Sequence, residues 1–332
     1  HTHNTAKKKQ TTNFSFQKTE MAENSNPTGV HTGTLFMHGG GILNKQPILQ
    51  RVNKQKMVII PTATKQPNLE HIAQTAQDYY ISKIGFAEVV ILHTESREEA
   101  NDDNFVEPLR DATFVFFHGG CQWRLGEFYA GTLVEKEVIG LLHRGGVVLG
   151  TSAGAAICSR VMIKWGKEVA VMGVGFRLMV CGVVDQHFKK RNRAGRLRKV
   201  LRREVYKVGY GVDEGTSLVV SGKIGWVEGT SSVTVMFANS RTKEYFHGEK
   251  FHFADQMAYA LKIGDAIREK LPQDQTNERS EELKQSRDLL LAEIEKSYAY
   301  SPEKIIGRAL DDEDDNIVGD YFSSSAQSDQ QK

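Results

Sequence analysis

Short apolar runs recur along the chain from residue 34 onward, and each is closed by glycine, proline or a hydroxyl residue. They read TLFMHGGG, KMVIIPTAT, AEVVILHTES, TFVFFHGG and GVVLGTS. Runs of this length without polar alternation are typical of strands that are buried on both faces, as in a parallel sheet. The pattern therefore predicts five buried strands in the first half of the chain.

The segments between these runs carry apolar residues at helical spacing. Residues 68–84, 107–110 and 132–143 fill three of the gaps, and the first of them places its apolar residues on one helical face. Strand and helix in alternation indicate an α/β fold with a doubly wound, mainly parallel sheet flanked by helices. Further apolar runs predict an antiparallel section near the C-terminal part, around 208–212, 217–220, 224–228 and 232–237.

The two ends of the chain differ in character from its centre. Residues 1–32 are polar and predict a disordered leader, and residues 33–254 hold the α/β domain. Residues 255–300 predict a helical C-terminal extension, whose apolar faces would allow a homodimer. Residues 301–332 are acidic and rich in Ser and Gln, which predicts a disordered tail.

Composition narrows the class of protein but indicates no partner. With 39% hydrophobic residues, 25% charged residues and a net charge of +2, the chain is typical of globular proteins. Its three cysteines favour a reducing, cytoplasmic location over a disulfide framework, although a processed secreted form stays open because the chain begins at His1. Apolar runs stay below the roughly 18 residues that a membrane span needs. Because the sequence also lacks clustered metal ligands, we expect neither a membrane partner nor a cofactor.

The stretch GTSAG, residues 150–154, follows the fifth apolar run and fits the G-x-S-x-G elbow. Its glycines permit a sharp turn from strand into helix, which lifts the hydroxyl of Ser152 above the strand ends. The start of the following helix would favour negative charge that develops there. A strand, a glycine and a helix also form phosphate-binding turns, so the motif alone leaves a nucleophile and an anion-binding turn open.

A histidine and a glycine-rich loop are predicted to lie near Ser152. His187 follows the apolar run 179–184, and the loop FFHGGCQ, residues 116–122, ends the fourth run. Ligands of open parallel sheets bind at the carboxyl ends of the strands, so these segments should meet at one edge of one sheet. His187 would then be the base, unless it is a surface histidine beside a basic helix. The N–H groups of Gly120 and Ala153 would form the oxyanion hole.

Four spaced motifs together resemble the serine peptidase family that contains cyanophycinase and dipeptidase E, whose fold is similar to that of class I glutamine amidotransferases. The motifs are GTSAGAA at 150–156, FFHGGCQWRL at 116–125, VVDQHF at 183–188 and RNRAGRL at 191–197. The resemblance implies a serine-type exopeptidase. Its substrate would be cyanophycin, multi-L-arginyl-poly-L-aspartate, which it would hydrolyse to β-Asp-Arg dipeptides through an acyl-enzyme on Ser152.

The resemblance also implies roles for individual residues. Ser152 matches the nucleophile, His187 the base and Glu168 the third triad member, while Gly120 and Ala153 match the oxyanion donors. The positions that resemble substrate-binding residues are Gln122, Asp185, Arg191, Arg193 and Arg196. Arginine pairs with carboxylates such as the one on each arginyl branch of cyanophycin. The candidate partners of the substrate guanidinium are Asp185, Glu127, Asp213 and Glu214.

One departure from the family pattern leaves alternatives open. Cys121 stands where the family has aspartate in a G-G-D-Q loop, which removes a charge from the pocket wall. A Cys121 thiolate beside His118 could itself be the nucleophile. The substrates could instead be aspartyl or isoaspartyl dipeptides. A third alternative is a non-enzymatic protein that binds polyanions through the basic residues of 188–203, although few aromatic residues accompany them and we expect no nucleic-acid partner.

Overall fold

A computed structural model describes residues 32–271, 276–298, 305 and 316–321 of the chain. The strands are β1 (Thr34–His38), β2 (Lys56–Ile60), β3 (Glu88–Ile91), β4 (Phe114–Phe117), β5 (Val147–Thr151), β6 (Val161–Trp165), β7 (Val171–Val174), β8 (Gly182–Gln186), β9 (Val208–Val212), β10 (Thr216–Ser221), β11 (Ile224–Gly229), β12 (Ser232–Met236), β13 (Thr242–Phe246) and β14 (Lys250–His252). The helices are α1 (Gln46–Leu49), α2 (Leu69–Thr75), α3 (Asp103–Arg110), α4 (Gln122–Tyr129), α5 (Leu133–His143), α6 (Ala153–Ala156), α7 (Ala194–Arg203), α8 (Phe253–Glu269) and α9 (Thr276–Tyr298). A π-helical segment, Ala76–Ile84, continues α2, and a 3₁₀ turn, Glu99–Asn101, precedes α3.

The main sheet has eight strands in the order β14-β11-β10-β1-β5-β4-β2-β3. Five neighbouring strands, β1, β5, β4, β2 and β3, run parallel to one another. On the other side of β1, β10 pairs with it in the antiparallel direction. The next two strands, β11 and β14, continue the antiparallel section. The prediction of an α/β fold with a mainly parallel sheet, flanking helices and an antiparallel part is confirmed.

The apolar runs form strands because both faces of this sheet are covered. In β4 all four residues are buried, and alternate side chains enter different layers of the core. Phe114 and Phe116 pack on the side of the π-helical segment, while Val115 and Phe117 pack on the side of α3 and α5. Burial of each such side chain stabilises the fold by roughly 1.5–3 kcal/mol. This layering leaves the carboxyl ends of the parallel strands as the edge at which loops can carry chemistry.

The strand that precedes His187 does not belong to the main sheet. β8 pairs parallel with β9 in a second sheet of four strands, in the order β13-β12-β9-β8. The expectation that Ser152 and His187 lie at the edge of one sheet is therefore wrong. The two sheets nevertheless meet at the end of β1, where the backbone N–H of His187 donates to the carbonyl oxygen of Gly39 at 2.8 Å.

The predicted leader, residues 1–32, lies almost wholly outside the described residues, and the domain boundaries at 254 and 300 stay predictions. Most of the predicted tail, 301–332, is also outside them. Its stretch 316–321 nevertheless packs against the body of the protein, because the hydroxyl of Tyr321 donates to the carbonyl oxygen of Arg202 at 3.0 Å. None of the helices in the described ranges is long and apolar enough to cross a membrane.

Candidate active site

Ser152 occupies a tight turn between β5 and α6, as the G-x-S-x-G pattern predicts. A Cβ atom on Gly150 would lie 1.9 Å from the carbonyl oxygen of Gly154, and one on Gly154 would lie 2.4 Å from that of Phe117. Real atoms do not approach so closely, so the turn requires glycine at both positions. Because β5 and α6 are in close contact at these glycines, Ser152 lies in the turn between them, above the strand ends.

The backbone of Ser152 is held in a conformation that side-chain-bearing residues rarely adopt. Its φ is 52° and its ψ is −107°. Its N–H donates to the carbonyl oxygen of His38 at 2.9 Å, and its own carbonyl oxygen accepts from Ala155 and Ala156. A non-glycine residue at positive φ costs about 1–3 kcal/mol and persists only where the surroundings hold it. These bonds fix the direction in which the Ser152 hydroxyl points.

The hydroxyl of Ser152 is hydrogen-bonded to His187. Its Oγ lies 2.8 Å from Nε2 of the imidazole, and Nδ1 of the same ring lies 2.6 Å from Oε1 of Glu214. Glu214 belongs to the turn between β9 and β10, in the part of the molecule where the two sheets meet. An alcohol, an imidazole and a carboxylate in this order can carry out nucleophilic catalysis, in which the imidazole takes the proton of the attacking hydroxyl.

Glu168 does not have the position that the family resemblance implied. It is exposed in the turn between β6 and β7, and both ring nitrogens of His187 are occupied by Ser152 and Glu214. The structure therefore replaces Glu168 by Glu214 as the carboxylate at His187. One local signal indicates Glu214, because it lies two residues beyond the end of β9, in the loop at a strand end. From the sequence alone, Glu214 is one of four candidate partners of the substrate guanidinium instead.

The surroundings of His187 keep its imidazole neutral. Burial lowers its pKa below the ordinary value, and the nearby Arg191 and Arg193 lower it further. The hydrogen bond and the charge of Glu214 act in the opposite direction and limit the shift. A neutral imidazole whose Nδ1 proton is directed to a carboxylate presents a free lone pair at Nε2. His187 is thus able to accept the proton of Ser152 at neutral pH.

The glycine-rich loop after β4 lies beside Ser152. A Cβ atom on Gly119 would be 3.4 Å from the Cβ of Ser152, which is ordinary contact distance. The next residue, Gly120, and the first residue of α6, Ala153, both have backbone N–H groups without a hydrogen-bond acceptor in the described part of the chain. Unpaired donors next to the hydroxyl are what an oxyanion hole requires.

Asp185 lies in the interior, away from the space a substrate could enter. It is 0% exposed, and its Oδ2 accepts from Nε of Arg196 at 2.9 Å. Its Oδ1 accepts from the same guanidinium and from Nη1 of Arg193 at 3.2 Å. Two arginines of the chain itself therefore balance this carboxylate, and the structure does not place Asp185 where the predicted contact with a substrate guanidinium could form.

Arg191 and Gln122 lie outside the Asp185 cluster and make no contact with its carboxylate within the described residues. Arg191 is exposed, and no ion pair involves it within the described residues. Gln122 is buried, and its side-chain N–H donates to the carbonyl oxygen of Ile163 at 3.0 Å. Of the three arginines predicted to bind substrate, Arg191 alone thus has a guanidinium that is not committed to Asp185.

Two of the alternatives drawn from the sequence lose support. The ring of His118 packs against Phe116 at 4.6 Å between centroids, on the sheet face opposite α6, while burial lowers its pKa to about 4. His118 therefore lies on the other face of the sheet, beside His71 and Tyr80, rather than being held as a base for Cys121. Members of the basic segment 188–203 pair within the chain, as Lys189 does with Glu244 at 2.9 Å. These pairs reduce the charge available for a polyanion.

Comparison with known proteins finds similarity to peptidases in both sequence and fold. Residues 35–225 match the model of peptidase family S51. The chain is similar to the cyanophycinase of Geminocystis herdmanii, with 29% identity over 61% of this chain and 76% of that protein. It is also similar to the cyanophycinase of Nostoc sp., with 32% identity over 60% of this chain and 69% of the relative. A solved peptidase from an acI-B1 Actinobacterium shares the fold, with a TM-score of 0.55 and 22% identity over 68% of this chain and 99% of that one.

The S51 match includes every segment that forms the site, from β1 to the turn that carries Glu214. It also spans more than half of the 332 residues. The chain therefore belongs to peptidase family S51 and is a peptidase of the serine hydrolase type.

Proposed function

We propose that the protein hydrolyses cyanophycin to β-Asp-Arg dipeptides through an acyl-enzyme on Ser152. The observation that carries the proposal is the continuous hydrogen-bonded path from Oγ of Ser152 through the His187 ring to Glu214, with distances of 2.8 and 2.6 Å. Ser152, His187 and Glu214 are the proposed catalytic triad. The names of the relatives, which are cyanophycinases, support the choice of substrate.

The first half of the proposed reaction forms the acyl-enzyme. Nε2 of His187 accepts the proton of Ser152 while Oγ attacks the scissile carbonyl carbon. The carbonyl oxygen becomes an oxyanion, which the N–H groups of Gly120 and Ala153 stabilise by two hydrogen bonds. The imidazolium that forms is stabilised by Glu214. The imidazolium then gives its proton to the departing amine nitrogen as the C–N bond breaks.

The second half returns the enzyme to its starting state. A water molecule gives a proton to Nε2 of His187 and attacks the acyl carbon, and the same two N–H groups stabilise the second oxyanion. Collapse of this intermediate breaks the bond to Oγ, which regains a proton from His187. The lowered pKa of His187 suits both halves, because the imidazole must be neutral at the start of each one.

The proposed substrate contacts follow from the charges at the site. Each repeat of cyanophycin presents a carboxylate on its arginyl branch, and the uncommitted guanidinium of Arg191 is the proposed partner of that carboxylate. Gln122 keeps a side-chain oxygen for an N–H donor, while its own N–H holds β6. Asp185, Arg193 and Arg196 are proposed to shape this wall as a paired cluster. All three cysteines are free thiols, which supports the proposed cytoplasmic location.

The test is incubation of the purified protein with insoluble cyanophycin, followed by mass spectrometry of the soluble fraction. We expect β-Asp-Arg dipeptide from the unaltered protein and none above background from Ser152→Ala. The matched control is Ser82→Ala, because Ser82 is an exposed serine on the π-helical segment. It should release dipeptide at the unaltered rate.

The products separate the proposal from its alternatives. Free arginine and aspartate from added β-Asp-Arg, with no release from the polymer, would indicate a peptidase of aspartyl or isoaspartyl dipeptides. Full activity in Ser152→Ala together with loss in Cys121→Ser would move the nucleophile to the thiol. Either result would overturn the corresponding part of the proposal.

A further inference from the structure

Three consecutive residues, the last of β1 and the two that follow it, connect all parts of the proposed triad. The carbonyl oxygen of His38 accepts from the N–H of Ser152 at 2.9 Å, and that of Gly39 accepts from the N–H of His187 at 2.8 Å. The carbonyl oxygen of Gly40 accepts from Gly215, the residue after Glu214, at 2.8 Å. The backbone of segment 38–40 thus holds three parts of the chain together. These are the turn between β5 and α6 with Ser152, the end of β8 with His187, and the turn after β9 with Glu214.

Gly40 also lies directly against the catalytic ring. A Cβ atom at this position would be 2.2 Å from Cε1 of His187, and the residue has φ of 104°. Only the bare backbone of glycine fits there. The position of Gly40 therefore limits how far the His187 ring can turn, in addition to the hydrogen bonds at its two nitrogens.

His38 is the residue that holds Gly40 in this place. Its Nδ1 accepts the N–H of Gly40 at 3.2 Å and lies 3.2 Å from Oγ1 of Thr151. His38 is only 2% exposed and ends β1, which lies between β10 and β5 in the main sheet. Because Nδ1 is an acceptor here, the single proton of the neutral ring is assigned to Nε2.

The charge state of His38 matches this role. Burial lowers its pKa to about 4, and the nearby His187 contributes to the shift. A protonated His38 would present an N–H at Nδ1 to the N–H of Gly40, so two donors would face each other. At neutral pH the ring therefore keeps the lone pair that Gly40 uses.

We propose that His38 is a positioning residue of the triad: by accepting the N–H of Gly40, it fixes segment 38–40 and with it the mutual placement of Ser152, His187 and Glu214. His38 does not touch the substrate. The proposal rests on the proposed function of the triad. Its physical basis is that displacement of a catalytic group by about 1 Å can reduce the rate by about 100-fold.

The test compares three substitutions at His38. In His38→Asn, Oδ1 takes the place of Nδ1, because both atoms are bonded to Cγ. In His38→Gln the chain is one carbon longer, so the acceptor is no longer at that place, and His38→Leu has no acceptor. We expect His38→Asn to stay within about threefold of the unaltered kcat, and the other two to lose about 10- to 100-fold in kcat with KM nearly unchanged. The matched control is His143→Leu, at the exposed end of α5, which should leave kcat unchanged.

Each variant is measured for dipeptide release, for the rate of labelling by a fluorophosphonate and for thermal melting. Labelling reports the reactivity of Ser152 whatever the natural substrate is. Full kcat in folded His38→Leu, or equal loss in folded His38→Asn and His38→Gln, would overturn the proposal. If His38→Leu does not fold, the Asn and Gln pair decides. Activity that persists in Ser152→Ala would instead reject the triad, so the two failures are distinguishable.

Discussion

Asp185 and His187 are two residues apart in sequence, yet the carboxylate clusters around them are built in opposite ways. The Glu214 side chain that meets His187 is 34% exposed and pairs with a ring that is neutral at neutral pH. Asp185 is 0% exposed and pairs with the guanidinium groups of Arg193 and Arg196. The first cluster contains an imidazole that can gain and lose a proton, whereas the second joins one buried carboxylate to two guanidinium groups.

The difference shows how one strand end can serve chemistry and stability together. Asp185 lies within β8, where its side chain is enclosed by α7, while His187 lies beyond the strand at φ of 50°. A buried carboxylate needs full compensation, because an unpaired charge in the interior is strongly unfavourable. A catalytic carboxylate needs a partner that changes charge during the reaction. Substitutions in the two clusters should therefore have different consequences.

The largest effect is expected at Ser152. Replacement by Ala removes the proposed nucleophile, so dipeptide release should fall by about 10⁴-fold or more, as for nucleophiles in comparable triads. The melting temperature should change little, because Ala keeps the same Cβ atom and lacks only one partly exposed hydroxyl. Kinetics of dipeptide release and a thermal melt measure both quantities. Residual activity above about one part in a hundred would contradict the role of the hydroxyl.

The next effect separates the two carboxylates proposed for the triad. Glu214→Gln keeps the shape but loses the charge that stabilises the imidazolium, so kcat should fall by about 10³- to 10⁴-fold. Glu168→Gln is the matched control at an exposed turn and should change kcat by less than about twofold. The measurement is kcat for both variants under the same conditions. A larger loss in Glu168→Gln than in Glu214→Gln would reverse the assignment.

Substitution of Asp185 should act on stability before it acts on chemistry. Asp185→Asn leaves two guanidinium groups without their carboxylate and should lower the free energy of unfolding by about 3–5 kcal/mol. Arg191→Gln, at an exposed position nearby, should change it by less than about 0.5 kcal/mol. Chemical denaturation of both variants tests this pair. Equal stability of the two would show that the buried cluster is not needed for the fold.

The smallest effect concerns pH. Because the pKa of His187 is lowered, its neutral form persists to more acidic pH than for an ordinary histidine, whose pKa is about 6.5. In a plot of kcat/KM against pH, the midpoint of the acid limb should therefore lie below that pH. Removal of the charge in Arg191→Gln should move the limb slightly upward, since Arg191 contributes to the lowering. A limb that moves downward would contradict this sign.

Local patterns predicted much of this arrangement. The five parallel strands follow from apolar runs that need no distant information, and Ser152 follows from the glycines required by its turn. The position of His187 shortly after an apolar run predicts its place at a strand end, although that strand belongs to the second sheet. Glu214 could not be assigned in the same way, because its role depends on the contact between two sheets. Arg193 and Arg196 carry the same sequence signal as Arg191, and only their burial against Asp185 distinguishes them.

The left-handed backbone conformation shared by Ser152 and His187 implies a conflict between durability and reactivity. Each residue adopts a geometry that glycine would accept with less strain, so a chain with glycine at position 152 should resist heat better and hydrolyse nothing. Selection for thermal robustness alone would thus tend to eliminate the two side chains that are proposed to react. Substitutions that raise the thermal stability of this peptidase should therefore be sought away from Ser152 and His187, for example in the C-terminal helices α8 and α9.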